Sequence, residues 1–271
     1  MQYVNLAFYK FVELTDLETL RPALKEFCVQ QGLKGTIILG KEGINTIIAG
    51  TREAIDALRD RLESDARFSN LPYKESLSDH QPFTRMLVKI KKEIVAFGIE
   101  VNPARNRAPT VKATELKQWL DEGREVILLD TRNDYEILTG KFNGAFEMGI
   151  RTFRAFPEKV KELLPEWKDK TIVSYCTGGI RCEKAAPYMR QIGFKDVYHL
   201  EGGILKYFEE VGGAHYDGEC FVFDYRIGLN PKLEETATAH CPGCQFPVTA
   251  ESQRDPRYIP GQCCPNCHQV P

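Results

Sequence analysis

Three short, almost continuous apolar runs constrain the fold of this chain more than any other feature of its sequence. They are EVILLD, TIVSYC and DVYHLE, between residues 125 and 201, and segments with the apolar spacing of a helix separate them. Strands that helices cover on both faces have this pattern, and they belong to parallel sheets. The sequence therefore predicts an α/β domain with a parallel sheet over residues 112–212.

A different order of elements precedes this domain. Residues 1–100 contain a strand pattern in VNLAFYKFV, a helix in DLETLRPALKEFCVQQ, a hairpin of GTIIL and INTIIAG, a helix in REAIDALRDRLES, and final strand material in RMLVKIKKEIVAFG. This order predicts a ferredoxin-like, or acylphosphatase-like, α+β domain, and we expect Cys28 in its core. Residues 101–111 are rich in Pro, Asn and Arg and predict a linker. Residues 213–271 form a cysteine-rich tail.

Composition excludes some classes of protein. No segment approaches the roughly 18 apolar residues of a membrane span, and the N-terminus lacks the pattern of a secretory signal, so we expect a cytoplasmic protein without a membrane partner. Nine cysteines then favour metal ligation or thiol chemistry over a disulfide framework. A net charge of −2 gives no overall support for nucleic-acid binding, so any such surface must be local. We find no glycine-rich dinucleotide fingerprint and expect no nucleotide cofactor.

The second apolar run ends in a cysteine that a short loop connects to a predicted helix. Cys176 precedes Arg181, and the residues between them are Thr177, Gly178, Gly179 and Ile180. Glycines let such a loop turn its amides toward one point, and the helix N-terminus and the Arg181 guanidinium would lower the thiol pKa. The sequence therefore predicts a nucleophilic thiolate at Cys176. In the alternative interpretation Cys176 is a small buried apolar residue and the glycines only turn the chain.

Three further residues near this loop have two interpretations each. Cys182 either acts as a second thiol that resolves an oxidised Cys176 or packs against the sheet. Asp130 and Arg132 end the neighbouring strand, where they either face the same crevice or form a buried ion pair that supports the loop.

The tail contains two C-x-x-C pairs. Cys241, Cys244, Cys264 and Cys267 have the spacing of a structural zinc site, and four thiolates complete a tetrahedral ion. The ligand set stays open, because Cys263, His240 and His268 adjoin these pairs. Free or redox-active thiols are the alternative.

The six-residue loop CTGGIR resembles that of rhodaneses, and is one residue shorter than the loop of protein tyrosine phosphatases. LLDTRNDYE (128–136) and GKFNGAFEMG (140–149) are similar to other rhodanese segments, with Phe142 in place of the usual histidine. The resemblance covers residues 112–212. It implies that Cys176 can carry a sulfur atom as a persulfide.

The wider chain resembles the rhodanese-domain tRNA uridine hydroxylases. GLKGTIILGKEGINTIIAG, FTRMLVKIKKEIVAFG, CTGGIRCEKAAPYM, EGGILKYFEE and CFVFDYRI carry this resemblance, together with the paired cysteines. It implies oxygen-dependent hydroxylation of the wobble uridine of tRNA to 5-hydroxyuridine, with molecular oxygen as co-substrate, tRNA as partner, and Cys176 as the active cysteine. The alternative function is sulfur transfer from thiosulfate or a persulfide donor to a thiol acceptor.

A tRNA partner requires local positive charge. The hypothesis places it at Lys89, Lys91, Lys92, Arg105 and Arg107, with Arg151 and Arg154 as further candidates. The aromatic residues that could stack on an unpaired base are Tyr175, Phe153 and Tyr135.

Overall fold

A computed structural model describes residues 2–268. Its N-terminal domain is a five-stranded sheet with two helices, and the sheet order is β4-β1-β3-β2-β5. The first four strands pair antiparallel, and β5 is parallel to β2. The elements in chain order are β1 (Tyr3–Phe11), α1 (Leu17–Gln30), β2 (Lys34–Gly40), β3 (Gly43–Gly50), α2 (Arg52–Glu63), β4 (Lys74–Ser78) and β5 (Met86–Ile90).

The predicted ferredoxin-like order is confirmed, but its last strand is not the predicted one. The strand that follows α2 and pairs with β1 is β4, whose sequence KESLS has a single large apolar residue, Leu77, which is exposed. The predicted final strand contains β5, which lies at the opposite sheet edge. Residues 91–98 after it form no strand; instead, Phe97 packs in the core of the second domain. Cys28 is fully buried in the first core.

The second domain has the predicted parallel sheet, in the order β6-β11-β10-β7-β9. A short strand, β8, lies outside it. The elements in chain order are β6 (Thr110–Val111), α3 (Ala113–Asp121), β7 (Ile127–Asp130), α4 (Asp134–Ile137), β8 (Gly140–Phe142), β9 (Phe146–Glu147), α5 (Phe156–Lys159), β10 (Thr171–Tyr175), α6 (Cys182–Gln191), β11 (Asp196–Leu200) and α7 (Gly203–Val211).

Two segments of this domain differ from the sequence prediction. The continuous helix expected in FRAFPEKVKELL is only the single turn α5, with 3₁₀ turns on either side. Pro157 explains why α5 begins at Phe156 and not earlier, because proline has no amide hydrogen and is best tolerated in the first turn of a helix. In the segment predicted as a linker, Val101 and Ala108 are buried, and the last two residues form β6.

The C-terminal residues form short hairpins that contact the second domain. Strand β12 pairs antiparallel with β8, while β13 pairs with β14 and β15 with β16. No helix within residues 2–268 combines the length and the apolar character that a bilayer crossing requires. The five strands are β12 (Tyr216–Gly218), β13 (Cys220–Phe221), β14 (Gly228–Leu229), β15 (Ala239–His240) and β16 (Pro247–Val248).

Candidate active site

Cys176 directly follows the central strand β10, and residues 176–181, which we call the thiol loop, lead from it into α6. Its sulfur is fully buried and accepts a hydrogen bond of 3.1 Å from the Gly179 amide. Gly179 has a φ of +95°, which glycine adopts without strain. A Cβ atom on Gly178 would have open space around it, and Ile180 is half-buried. The loop therefore turns amides toward the sulfur, as the sequence predicts.

The surroundings of Cys176 favour its thiolate form. Burial opposes ionisation, but the Cys182 thiol, the Arg181 charge and the amides of Arg181 and Gly179 outweigh it and lower the pKa of Cys176 to about 5. The thiol is therefore ionised at neutral pH, and a thiolate is the nucleophilic form of cysteine.

Arg181 forms a buried ion pair with Glu136. Two parallel hydrogen bonds of 2.5 and 2.7 Å join its guanidinium to the carboxylate, which is completely buried. Glu136 also accepts from the Asn133 amide at the start of α4, while Thr177 Oγ1 lies 3.4 Å from its second oxygen. Arg181 is thus fixed in position. Sequence reasoning missed Glu136, although it lies at the end of the quoted segment LLDTRNDYE.

Cys182 is the first residue of α6 and is fully buried. Its sulfur lies 3.5 Å from Thr131 Oγ1. Burial raises the pKa of Cys182, and the adjacent Cys176 thiolate raises it further. Cys182 is therefore the protonated member of this pair of thiols.

Asp130 and Arg132 form a completely buried ion pair, with the shortest contact at 2.6 Å. Arg132 also donates to the Gly140 carbonyl at 2.7 Å. This pair therefore joins the end of β7 to β8, whereas Thr131, between the two residues, donates to the Tyr175 carbonyl at 2.9 Å next to the thiol loop.

Two of the aromatic residues expected to stack on RNA are not available for it. Tyr175 is completely buried and packs edge-to-face on Phe142, the residue that occupies the usual histidine position. Phe153 packs on Phe97 in the core. These two expectations were wrong because a chain position next to a loop does not reveal which way a side chain faces. Tyr135 is only half-buried and lies against Phe221.

The basic residues proposed for tRNA contact are all exposed. Within residues 2–268, Arg107 is the one member of this group that lines the cleft between the first two domains. Arg105 lies beside Arg107 in a shallow depression next to α6. Arg151 is 3.6 Å from Asp134. The exposed members of the set are Lys89, Lys91, Lys92, Arg105, Arg107, Arg151 and Arg154.

Four tail cysteines converge on one point. The sulfur atoms of Cys241, Cys244, Cys264 and Cys267 all lie within 4.8 Å of one another. The neighbouring candidates lie outside this group: the Cys263 sulfur is 4.0 Å from the Arg257 carbonyl, and His240 Nδ1 is 2.9 Å from the Gln245 carbonyl. His268 is not part of the group either. The four sulfur atoms are a donor set suited to a metal ion.

Family profiles match each of the first two domains. A profile described as the UPF0176 acylphosphatase like domain matches residues 3–94, and one described as the rhodanese-like domain matches residues 112–210. A solution structure of a rhodanese-like domain from Anabaena is 26% identical, covers 41% of this chain and 80% of its own, and has a TM-score of 0.34.

Two relatives match over nearly their full length. A protein of Cupriavidus necator named tRNA uridine(34) hydroxylase is 55% identical over 273 residues, 98% of this chain and 97% of its own. One of the same name from Ralstonia nicotianae is 54% identical and covers 100% of this chain and 99% of its own. The chain therefore belongs to the tRNA uridine(34) hydroxylase family.

Proposed function

We propose that this chain is a tRNA-modifying enzyme that hydroxylates uridine 34 to 5-hydroxyuridine in an oxygen-dependent reaction. Relatives above 50% identity that carry this name support the substrate and the reaction. One observation of the structure carries the assignment to this site: a buried cysteine with a lowered pKa, held by loop amides and a fixed arginine.

In this proposal the side chains of the thiol loop have separate tasks. Cys176 is the reactive thiolate, and Arg181 holds negative charge at the sulfur. The amides of the loop, including that of Gly179, supply neutral donors to the same atom. Cys182 provides a proton to the sulfur and a second thiol. Asp130 and Arg132 act only through the packing of β7 on β8.

We further propose a division of work among the three parts of the chain. Residues 112–212 carry the reactive site, residues 1–100 and the linker 101–111 contribute RNA contacts, and residues 213–271 brace the loop. Thr177 Oγ1 lies 3.3 Å from the carbonyl of Phe221, which supports the last assignment. A cytoplasmic location, where tRNA is present, follows from this function.

The test of the reaction is nucleoside analysis of tRNA from cells that lack the gene. The wild-type chain should restore 5-hydroxyuridine and its derivatives in aerated cultures but not in anaerobic ones. Cys176→Ser should not restore these nucleosides under either condition. Cys28→Ala is the matched control, because Cys28 is equally buried but belongs to the other core. Restoration of a thiolated nucleoside instead would favour the sulfurtransferase, in which Cys176 carries a persulfide. Full activity of Cys176→Ser would refute the assignment.

The test of RNA contact uses the exposed arginines of the linker. Arg105→Glu together with Arg107→Glu should weaken tRNA binding and reduce its salt dependence, since each phosphate contact releases counterions. Unchanged affinity and salt slope would remove these residues from the proposed surface. Replacement of both Lys91 and Lys92 by Glu tests the predicted RNA contacts on the turn after β5 in the same way.

We also propose that the four tail cysteines bind a structural zinc ion. A tetrahedron with Zn–S bonds of about 2.3 Å has sulfur–sulfur edges of about 3.8 Å. The sulfur atoms of Cys241 and Cys267 are 3.6 Å apart, those of Cys244 and Cys264 are 3.6 Å apart, and those of Cys264 and Cys267 are 3.8 Å apart. The donor set therefore fits zinc, and four protein ligands leave no open position for a substrate.

Elemental analysis of the purified chain tests the zinc site. The wild-type protein should contain one zinc ion per chain, Cys264→Ser should lose it, and Cys263→Ser should retain it. Loss of zinc from Cys263→Ser would move the site to the neighbouring sulfur, and a zinc-free wild-type protein would leave redox-active thiols as the explanation.

A further inference from the structure

A cleft of about 390 Å³ lies between the first two domains and next to the thiol loop. Its volume is in the range of small-molecule sites, and both domains and the linker contribute walls. The residues that matter for its chemistry are Tyr9 and Lys74 from the N-terminal domain, Arg107 from the linker, and Glu183 and His199 from the second domain.

The cleft and the Cys176 sulfur are separated by Gly179. The Gly179 amide donates to the sulfur, and a Cβ atom on this residue would lie 3.0 Å from the Tyr9 hydroxyl. The Cys176 charge acts on the ionisation of Tyr9, Lys74 and His199, so these side chains are within its electrostatic reach. A molecule in the cleft would therefore lie beside the proposed reactive group.

Three cations that line this cleft lack a carboxylate partner among residues 2–268, and one of them, Lys10, donates to the Ser69 carbonyl instead. Neither Lys74 nor Arg107 forms an ion pair with a carboxylate within the part of the chain that the structure describes, although Lys74 is half-buried and its ammonium lies 5.3 Å from the centre of the Tyr9 ring. Burial lowers the pKa of Lys74 to about 8, despite the opposing effect of Cys176. Cations that lie unpaired in one cleft favour an anionic ligand such as a phosphodiester.

Two hydrogen-bonding side chains, His199 and Glu183, line the second-domain side of the cleft. His199 is 3% exposed, and its Nδ1 has no hydrogen-bond partner among residues 2–268. Buried polar atoms are almost always paired in folded proteins, so this atom is suited to a ligand. Glu183 accepts from the Tyr9 hydroxyl at 3.3 Å with one oxygen, and its side chain remains 24% exposed.

These groups match one unstacked uridine nucleotide. The phosphodiester needs cations, and the base has an N3–H donor between two carbonyl oxygens. Cytosine presents an acceptor at N3, which a carboxylate repels, so a glutamate distinguishes the two pyrimidines. Single-stranded loops of RNA are recognised through bases that are unstacked in this manner.

We propose that the cleft between the first two domains binds the target nucleotide of tRNA, with Glu183 accepting the N3–H of uracil, His199 bonding a base carbonyl, and Lys74 and Arg107 contacting phosphate. This inference rests on the proposed hydroxylase function and adds to it the source of pyrimidine specificity. It makes the N-terminal domain part of the substrate site.

The test is binding of fluorescent anticodon stem-loops that differ only in having U or C at position 34, with the full-length protein. The wild-type protein should prefer U by about tenfold, the ratio that one charged hydrogen bond supplies. Glu183→Gln should reduce the preference to within about twofold, because an amide can present either a donor or an acceptor. Lys74→Met should weaken both RNAs by about fivefold and lower the salt slope by about one.

The matched controls are Glu125→Gln and Lys170→Met, which make the same changes in an exposed ion pair elsewhere. They should bind like the wild type, and thermal unfolding should show that all four variants are folded. Wild-type binding without preference for U, or folded Glu183→Gln and Lys74→Met variants with unchanged binding, would overturn the proposal.

Two results separate this inference from the hydroxylase function. If the chain forms no 5-hydroxyuridine in cells but shows the binding pattern above, the result supports the nucleotide site in the cleft and refutes the proposed reaction. If Glu183→Gln and Lys74→Met both restore the wild-type level of 5-hydroxyuridine in cells, the result supports the reaction and shows that the cleft is not its substrate site. Cys176→Ser should retain the preference for U, because it removes reactivity and not recognition.

Discussion

Two equally buried cysteines show what the thiol loop does to Cys176. Burial alone raises the pKa of Cys28 to about 12, because the apolar core disfavours the thiolate. Cys176 is just as inaccessible, yet its pKa is lowered. The difference comes from the Cys182 thiol, the Arg181 guanidinium and the loop amides. Ionisation of Cys176 is therefore a property of its polar neighbours and not of its exposure.

The pH dependence of alkylation measures this ionisation. Since the thiolate reacts and the thiol does not, the rate for Cys176 should be half-maximal near pH 5. It should fall as the pH drops below that value and stay level above it. Trypsin releases Cys176 alone in residues 171–181 and Cys28 alone in residues 26–34, so mass spectrometry follows each separately. Cys28 should stay unmodified, and a Cys176 rate that still rises above pH 8 would contradict the lowered pKa.

The Arg181–Glu136 pair should affect stability and thiol ionisation separately. Arg181→Met leaves the Glu136 carboxylate buried without a cation, which should cost about 3–5 kcal/mol of unfolding free energy. Adding Glu136→Gln should recover most of that loss in unfolding free energy. In both variants the pKa of Cys176 should be higher than in the wild type, because the guanidinium is gone. Urea unfolding and the alkylation profile measure the two effects. An unchanged profile in the double variant would show that Arg181 does not act on the sulfur.

At the scale of elements, the thiol loop is held by the start of α7 as well as by its own strand and helix. The Ile204 amide donates to the Cys176 carbonyl at 3.0 Å, and the Leu205 amide to the Thr177 carbonyl at 3.1 Å. This approach requires a glycine at position 203, where a Cβ atom would lie 2.4 Å from the Cys176 carbonyl oxygen. The loop therefore depends on an element that is more than 20 residues away in the chain.

Gly203→Ala tests this contact, with Gly123→Ala as the matched control. Both glycines have nearly the same φ, +68° and +67°, but no atom lies within 4 Å of a Cβ built on Gly123. The control should lose about 1–2 kcal/mol from the left-handed backbone conformation alone. Gly203→Ala should lose more in urea unfolding and should slow alkylation of Cys176. Equal losses would mean that α7 does not restrain the loop.

At the scale of the whole molecule, buried polar contacts join the domains. Lys184 on α6 is 1% exposed and reaches Glu42 at 2.9 Å, Glu93 at 3.1 Å and the Val95 carbonyl at 3.2 Å. Arg226 in the C-terminal part donates to Ser76 on β4 at 2.6 Å. The N-terminal domain is therefore fixed against the thiol loop and the tail.

Lys184→Met should destabilise the folded chain by about 3–5 kcal/mol at pH 7, because it leaves carboxylates at the interface without their cation. Burial opposes ionisation of Glu93, but Lys184 and the neighbouring amides outweigh it and lower the pKa of Glu93. Its stabilising contribution is thus present above the ordinary carboxylate pKa and is lost as the pH falls. The difference in unfolding free energy between Lys184→Met and the wild type, measured by urea unfolding, should therefore become smaller at acidic pH.

The control for this change is Lys117→Met, which breaks an exposed pair with Asp121 on α3 and should cost less than about 1 kcal/mol. A loss for Lys184→Met no larger than that of the control would mean that the interface charges contribute little to stability.

Local patterns were sufficient for the elements that bury a regular apolar face. The parallel strands around Cys176 and the first helix of each domain follow from periodicity, because burial of such a face selects one secondary structure. Strand β4 could not be found this way: KESLS has no apolar alternation, and its pairing with β1 depends on a sheet edge that the rest of the domain provides.

Neighbouring residues are enough to predict the α+β domain, the parallel α/β domain, the place of Cys176 at the end of a central strand and the spacing of the tail cysteines, because each of these is a local pattern. The contact of Glu136 with Arg181 forms only when the chain folds, and so does the cleft that Tyr9, Lys74, Glu183 and His199 share. These residues come from at least four separate stretches of chain, and no local pattern records which distant side chains meet when the domains pack.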